Sequence, residues 1–166
     1  MPPRSATRRF TRPLRLWLAL CACLLVGTAT AGPEQTMSID DFSLDDHTGE
    51  VIYLDFWASW CEPCKASFRW MSAMQHKYAD HGLRVVAVNV DNDEAAARRF
   101  LRENESRFLV VLDPDGRMAE RYALMGMPSS YLLGRDGEVR LSHRGFLERD
   151  TPVLESQIRA ALNAAE

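Results

Sequence analysis

The chain has 166 residues, 46% hydrophobic and 26% charged, with 20 basic and 23 acidic side chains and a formal charge of −3. Nothing in that balance suggests a nucleic-acid partner. No internal repeat or low-complexity tract interrupts the chain, and its length suits one domain with a proper core better than two.

Arg4, Arg8, Arg9, Arg12 and Arg15 open the chain with no acidic residue among them. An apolar stretch of 11 residues, Leu16 to Val26, follows, and then Ala29-Thr30-Ala31. A basic start, a short apolar centre and an A-x-A site together read as a secretory signal peptide over residues 1–31, cleaved before Gly32. Eleven apolar residues are too few to span a bilayer roughly 30 Å thick, so a retained anchor requires the helix to run on through the Gly/Thr/Ala section. Cys21 and Cys23 leave with the leader. Residues 32–166 then hold 15 basic and 23 acidic side chains, a formal charge of −8, and their remaining cysteines are Cys61 and Cys64.

Residues 34–48 are polar and turn-like, with an edge strand expected around Met37 to Leu44. Val51 to Trp57 is apolar except for Asp55, the pattern of a strand covered on both faces inside an α/β sheet. Cys61 falls where a helix should begin. Pro63 sits early in that helix, where a missing N–H costs nothing, and Phe68, Met71, Gln75 and Tyr78 follow at helical spacing.

A cysteine at a helix mouth is poised for chemistry, because the thiolate is the nucleophile and the helix dipole with its free amides stabilises it. Cys64, one turn later, is close enough to displace a mixed disulfide formed on Cys61. Glu62 places a carboxylate beside the nucleophile, which opposes part of the dipole effect and favours a more reducing couple. A bare C-x-x-C also occurs in zinc sites and structural disulfides, but a zinc site needs two more ligands, and the histidines are scattered.

His81-Gly82 stops the helix, and Arg84 to Val90 is a β-branched strand, expected to run parallel to the first. Asp91 to Asn104 reads as a helix capped at Asp91, Asn92 or Asp93, and Phe108 to Leu112 as another strand. Asp113-Pro114-Asp115-Gly116 turns into a short helix, Arg117 to Ala123, and Gly126-Met127-Pro128 loops into a strand at Ser130 to Leu133. Arg135-Asp136-Gly137 closes a hairpin whose second strand is Glu138 to Ser142. Thr151 to Ala164 ends the chain as an amphipathic helix bearing Val153, Leu154, Ile158 and Leu162.

Four segments carry a resemblance: F-W-A-S-W-C-E-P-C-K (Phe56 to Lys65), R-V-V-A-V-N-V (Arg84 to Val90), F-L-V-V-L-D (Phe108 to Asp113) and G-M-P-S-S-Y-L-L (Gly126 to Leu133). Together they resemble the thioredoxin superfamily, and the C-E-P-C tetrad resembles its TlpA/ResA-like branch. The resemblance covers nearly everything after about Asp40. It implies an α/β, thioredoxin-like fold with a central mixed β-sheet flanked by helices. The helix and strand between Asp91 and Leu112 match the insertion that distinguishes this branch from minimal thioredoxin.

The same resemblance implies a cis bond at Met127-Pro128, with Pro128 packed beside the disulfide and the Met127 backbone offered to the substrate chain. Trp60 matches the tryptophan bordering the docking surface. Asp55, six positions before Cys61, matches the buried aspartate of thioredoxin, where many TlpA-like relatives carry asparagine; it is expected to exchange a proton with Cys64. The activity implied is that of an exported protein-disulfide reductase, periplasmic, with catalytic Cys61, Cys64, Asp55, Glu62 and Pro63. It needs no cofactor beyond the Cys61–Cys64 disulfide and no metal. Its partners are client proteins, as in cytochrome c maturation, and a membrane thiol reductase, with membrane contact only through a retained N-terminal segment.

Two rivals use the same cysteines: a Cu(I) metallochaperone and an oxidant of exported thiols. Met118, Met125 and Met127 with His47 and His143 invite the copper reading, since soft sulfur ligands favour Cu(I). His76 and His81 are five apart and share no helix face as an i, i+4 pair would.

Overall fold

The structure is a computed structural model and describes residues 36–164; the leader expected over residues 1–31 lies outside that range. Six strands form one sheet: β1 (Thr36–Ser38), β2 (Val51–Trp57), β3 (Leu83–Asn89), β4 (Leu109–Leu112), β5 (Ser129–Leu133) and β6 (Val139–Arg144), in the order β1-β4-β3-β2-β5-β6. β1 to β4 are mutually parallel where they pair, and β5 and β6 join antiparallel. All seven β2 residues are buried, as a central strand covered on both faces requires.

Strand alternation divides the core. Tyr53 and Trp57 point into a cluster with Phe68, Met71 and Tyr78 of α1 (Glu62–Tyr78), Phe100 of α2 (Glu94–Glu103) and Ile158 of α4 (Thr151–Asn163). Ile52, Leu54 and Phe56 point to the other face, against Met118 of α3 (Arg117–Arg121) and the N-terminal residues Met37, Ile39, Phe42 and Leu44. Cys61 and Cys64 belong to the first cluster. The helix and strand between β3 and β5 therefore do more than widen the sheet. Phe100 and Phe108 close an aromatic group around Trp57 and Phe68, with ring centroids 4.7 to 5.2 Å apart, directly behind the cysteines.

Several expected boundaries move. The edge strand around Met37 to Leu44 shrinks to Thr36–Ser38, because Ser38 and Ser43 accept from the amides of Asp40 and Asp45 and wind the following residues into two 3-10 turns. α2 starts at Glu94, capped by Asp93 through the Ala95 N–H. β6 extends to Arg144, two residues further than the hairpin pattern suggested. On α4, Leu154 and Ile158 are buried, but Val153 is exposed and lies off the apolar stripe.

Candidate active site

β2 ends at Trp57, and four residues later Cys61 is the N-cap of α1, with Pro63 in the first turn. The Cys61 N–H donates to the Ala58 carbonyl at 3.0 Å and the Cys64 N–H donates to the Cys61 carbonyl at 3.1 Å, a tight turn that brings the two sulfurs together. They form a disulfide, with an S–S distance of 2.02 Å and a Cα–Cα distance of 5.4 Å. Cys61 retains 4% exposure and Cys64 none, so an incoming thiol or disulfide can meet only the first sulfur. No side chain caps the α1 N-terminus, which leaves its positive end to Cys61.

Glu62 lies outside this packing. It is 82% exposed and forms an ion pair with Lys65 at 2.8 Å, so its charge is both solvated and locally neutralised. The effect on Cys61 expected from Glu62 is correspondingly small.

Asp55 is buried at the middle of β2, on the same face as Tyr53 and Trp57, and pairs across the strands with Ala87 and Ser130. Its Oδ2 has no hydrogen-bond partner among the described residues, and burial pushes its carboxyl well above the usual carboxylate range. The Tyr53 hydroxyl donates to Ser130 Oγ at 2.8 Å. Tyr53 is held protonated far above the ordinary phenol range, first by burial and then by the neighbouring Asp55 charge.

The Met127–Pro128 bond is cis. Met127 packs against the cluster that contains both cysteines, and the Pro128 carbonyl accepts from the Gly145 N–H at 2.8 Å, fixing the loop to the end of β6. Trp60 and Met125 are 72% and 77% exposed, large apolar side chains that the core does not use.

One group was missed in the sequence. Asp91, read there only as a helix cap, is buried and accepts from the Ser59 N–H at 2.7 Å, the Ser59 hydroxyl at 3.1 Å and the Asn89 amide at 2.8 Å. The available signal was positional: β2 and β3 are adjacent parallel strands, so residues just past their C-terminal ends meet. The methionines and histidines singled out for copper do not all converge. His47 bonds Glu50, and Met118 lies in the core cluster on the sheet face away from the cysteines. Among the described residues no group of three or more His, Cys, Asp or Glu side chains could hold a metal.

The Redoxin family model matches residues 28–162, most of the chain. The chain belongs to the Redoxin family. Thiol-disulfide oxidoreductase ResA of Bacillus thuringiensis subsp. konkukian (strain 97-27) is 30% identical over 96 residues, 58% of this chain and 56% of that protein. The chain thus spans just over half the length of this relative. A putative thiol:disulfide interchange protein DsbE from Chlorobium tepidum has a similar structure, with TM-score 0.71 and 50% identity over 72% of this chain and 85% of that one. StoA from Bacillus subtilis superposes with TM-score 0.59 and 26% identity, covering 67% and 84%. The thioredoxin-like fold and the likeness to ResA inferred from C-E-P-C are both borne out. Among the described residues, no helix is long and apolar enough to cross a membrane.

Proposed function

We propose that the protein is a thiol:disulfide oxidoreductase that reduces disulfides in exported client proteins. The asymmetry of the pair carries this reading: Cys61 is reachable at the helix mouth and Cys64 is sealed behind it. In the reduced enzyme the Cys61 thiolate attacks one sulfur of a client disulfide, forming a mixed disulfide and expelling the client's other sulfur as a thiolate. Cys64 then gives its proton to the Asp55 carboxylate and attacks Cys61. The new Cys61–Cys64 bond releases the second client thiolate, and both client sulfurs take up protons. Two electrons and two protons have passed to the client. A membrane thiol reductase supplies the electrons that reopen the enzyme disulfide.

The leader pattern supports export: residues 1–31 direct the chain to the periplasm and are removed there, and a cytochrome c maturation substrate fits the likeness to ResA and DsbE. Cys64→Ser tests the mechanism. That variant should accumulate mixed disulfides with clients, seen as high-mass bands lost on reduction, while Cys61→Ser accumulates none. Equal trapping by Cys61→Ser would reverse the two roles.

A further inference from the structure

A cavity of about 220 Å³ lies beside the cis-proline loop, walled by Met125, Met127, Pro128, Arg144 and Gly145. Arg144 ends β6 and pairs in register with Ser129, the residue after Pro128, and the bond from Gly145 N–H to the Pro128 carbonyl holds the two segments together. The Arg144 backbone is thereby fixed beside a pocket whose Met127 wall also packs against the cysteine cluster.

Some arginines of the described residues are held in ion pairs with carboxylates and others, Arg144 among them, are not. Arg84 is paired with Glu50, Arg117 with Asp40 and Arg140, in the same strand, with Asp136. Arg144 has no carboxylate at ion-pair distance among the described residues, although the chain as a whole carries an acidic excess. Glu62, the acidic residue flanking Cys61, is neutralised by Lys65. An unpaired cation therefore lines the pocket beside the cis-proline loop. Methionines adapt to many apolar shapes and select little, which leaves the fixed charge as the discriminating feature of the pocket.

We propose that this pocket selects client segments carrying an acidic side chain next to an apolar residue close to the reacting cysteine, with Arg144 as the specificity-determining residue. The inference rests on the oxidoreductase reading, and its test separates the two. Two disulfide-linked peptides differing only in Glu or Lys beside an apolar residue near the cysteine are reduced by wild type, Arg144→Gln and Arg144→Glu, and the ratio of the two rates is taken within each variant. An exposed charge contact predicts that wild type reduces the Glu peptide about 3- to 5-fold faster at low salt. The preference should fade at high salt, vanish in Arg144→Gln and invert in Arg144→Glu. Reduction of both peptides at one rate by all three proteins overturns the proposal and leaves the oxidoreductase standing; reduction of neither by any of them overturns both. A dimer in sedimentation that dissociates in Arg144→Glu would place a second copy of the chain in the pocket, and this too overturns the proposal.

Discussion

Asp91 accepts both the backbone N–H and the hydroxyl of Ser59, at 2.7 and 3.1 Å, across 32 residues of sequence. The contact ties the turn that carries Trp60 and Cys61 to the C-terminal end of β3, and Asn89 completes it by donating to the same Asp91 Oδ2. A carboxylate in this position fixes where Cys61 stands relative to the sheet without touching the reacting sulfur.

Asp91→Ala removes three acceptor contacts and leaves the Ser59 N–H and the Asn89 amide short of partners in a buried region. The expected loss of stability is about 2 to 4 kcal/mol, read from urea unfolding at neutral pH. Client reduction should also slow, because the turn before Cys61 loses its tether. Unchanged stability would mean that water or a shifted neighbour replaces the carboxylate fully.

Phe100 lies on the inserted helix, yet its ring is 4.7 Å from that of Trp57 and 5.1 Å from that of Phe68. Phe100→Ala opens a cavity within the aromatic group behind the cysteines and should cost about 3 to 5 kcal/mol. Thermal unfolding checks this. A cost below about 1 kcal/mol would show that the group collapses around the gap and that the insertion does not buttress the active-site face.

What the sequence disclosed and what it withheld follow from how local each signal is. The apolar run of β2, the helix opening at Cys61 and the turn at Arg135-Asp136-Gly137 are set by neighbours in sequence, and all three form as expected. The Asp91–Ser59 tie and the enclosure of Trp57 by Phe100 and Phe108 depend on strand order, which periodicity does not supply. Val153 is apolar but sits one position before Leu154, off the stripe that Leu154 and Ile158 bury, and is exposed. The Glu62–Lys65 pair was legible at i, i+3 and changes the weight of Glu62, since a charge with a nearby counter-ion and full solvation acts weakly on its neighbour.

Glu62→Gln is therefore a sensitive check on that electrostatic argument. Removing the carboxylate favours the Cys61 thiolate and so the reduced form, which moves the reduction potential in the less negative direction. A solvated, paired charge is worth a few tenths of a kcal/mol, which corresponds to a shift on the order of 10 mV. Equilibration of wild type and variant against glutathione or dithiothreitol measures it. A change above about 40 mV would show that Glu62 acts on the disulfide far more strongly than its exposure and its pairing with Lys65 imply.

Asp55 makes stability itself pH-dependent. Its ordinary carboxyl value is 3.8, and burial raises the folded value well above that. The unfolded chain therefore releases the proton at lower pH than the native protein does. Below 3.8 both states hold the proton and the native state has its full stability; between 3.8 and the raised value only the native state does, and stability falls by about 1.4 kcal/mol per pH unit. Above the folded value the loss is complete and the curve is flat with respect to this group. Asp55→Asn removes the titration, so the difference in unfolding free energy between variant and wild type should move in the variant's favour by that slope as pH rises through the window. The fixed cost of burying an unpartnered amide offsets the two curves without changing their relative slope. The same substitution should slow Cys64-dependent release of a preformed mixed disulfide if, as proposed above, Asp55 accepts the Cys64 proton. Parallel stability curves for wild type and variant, together with unchanged release kinetics, would reduce Asp55 to a structural residue of β2.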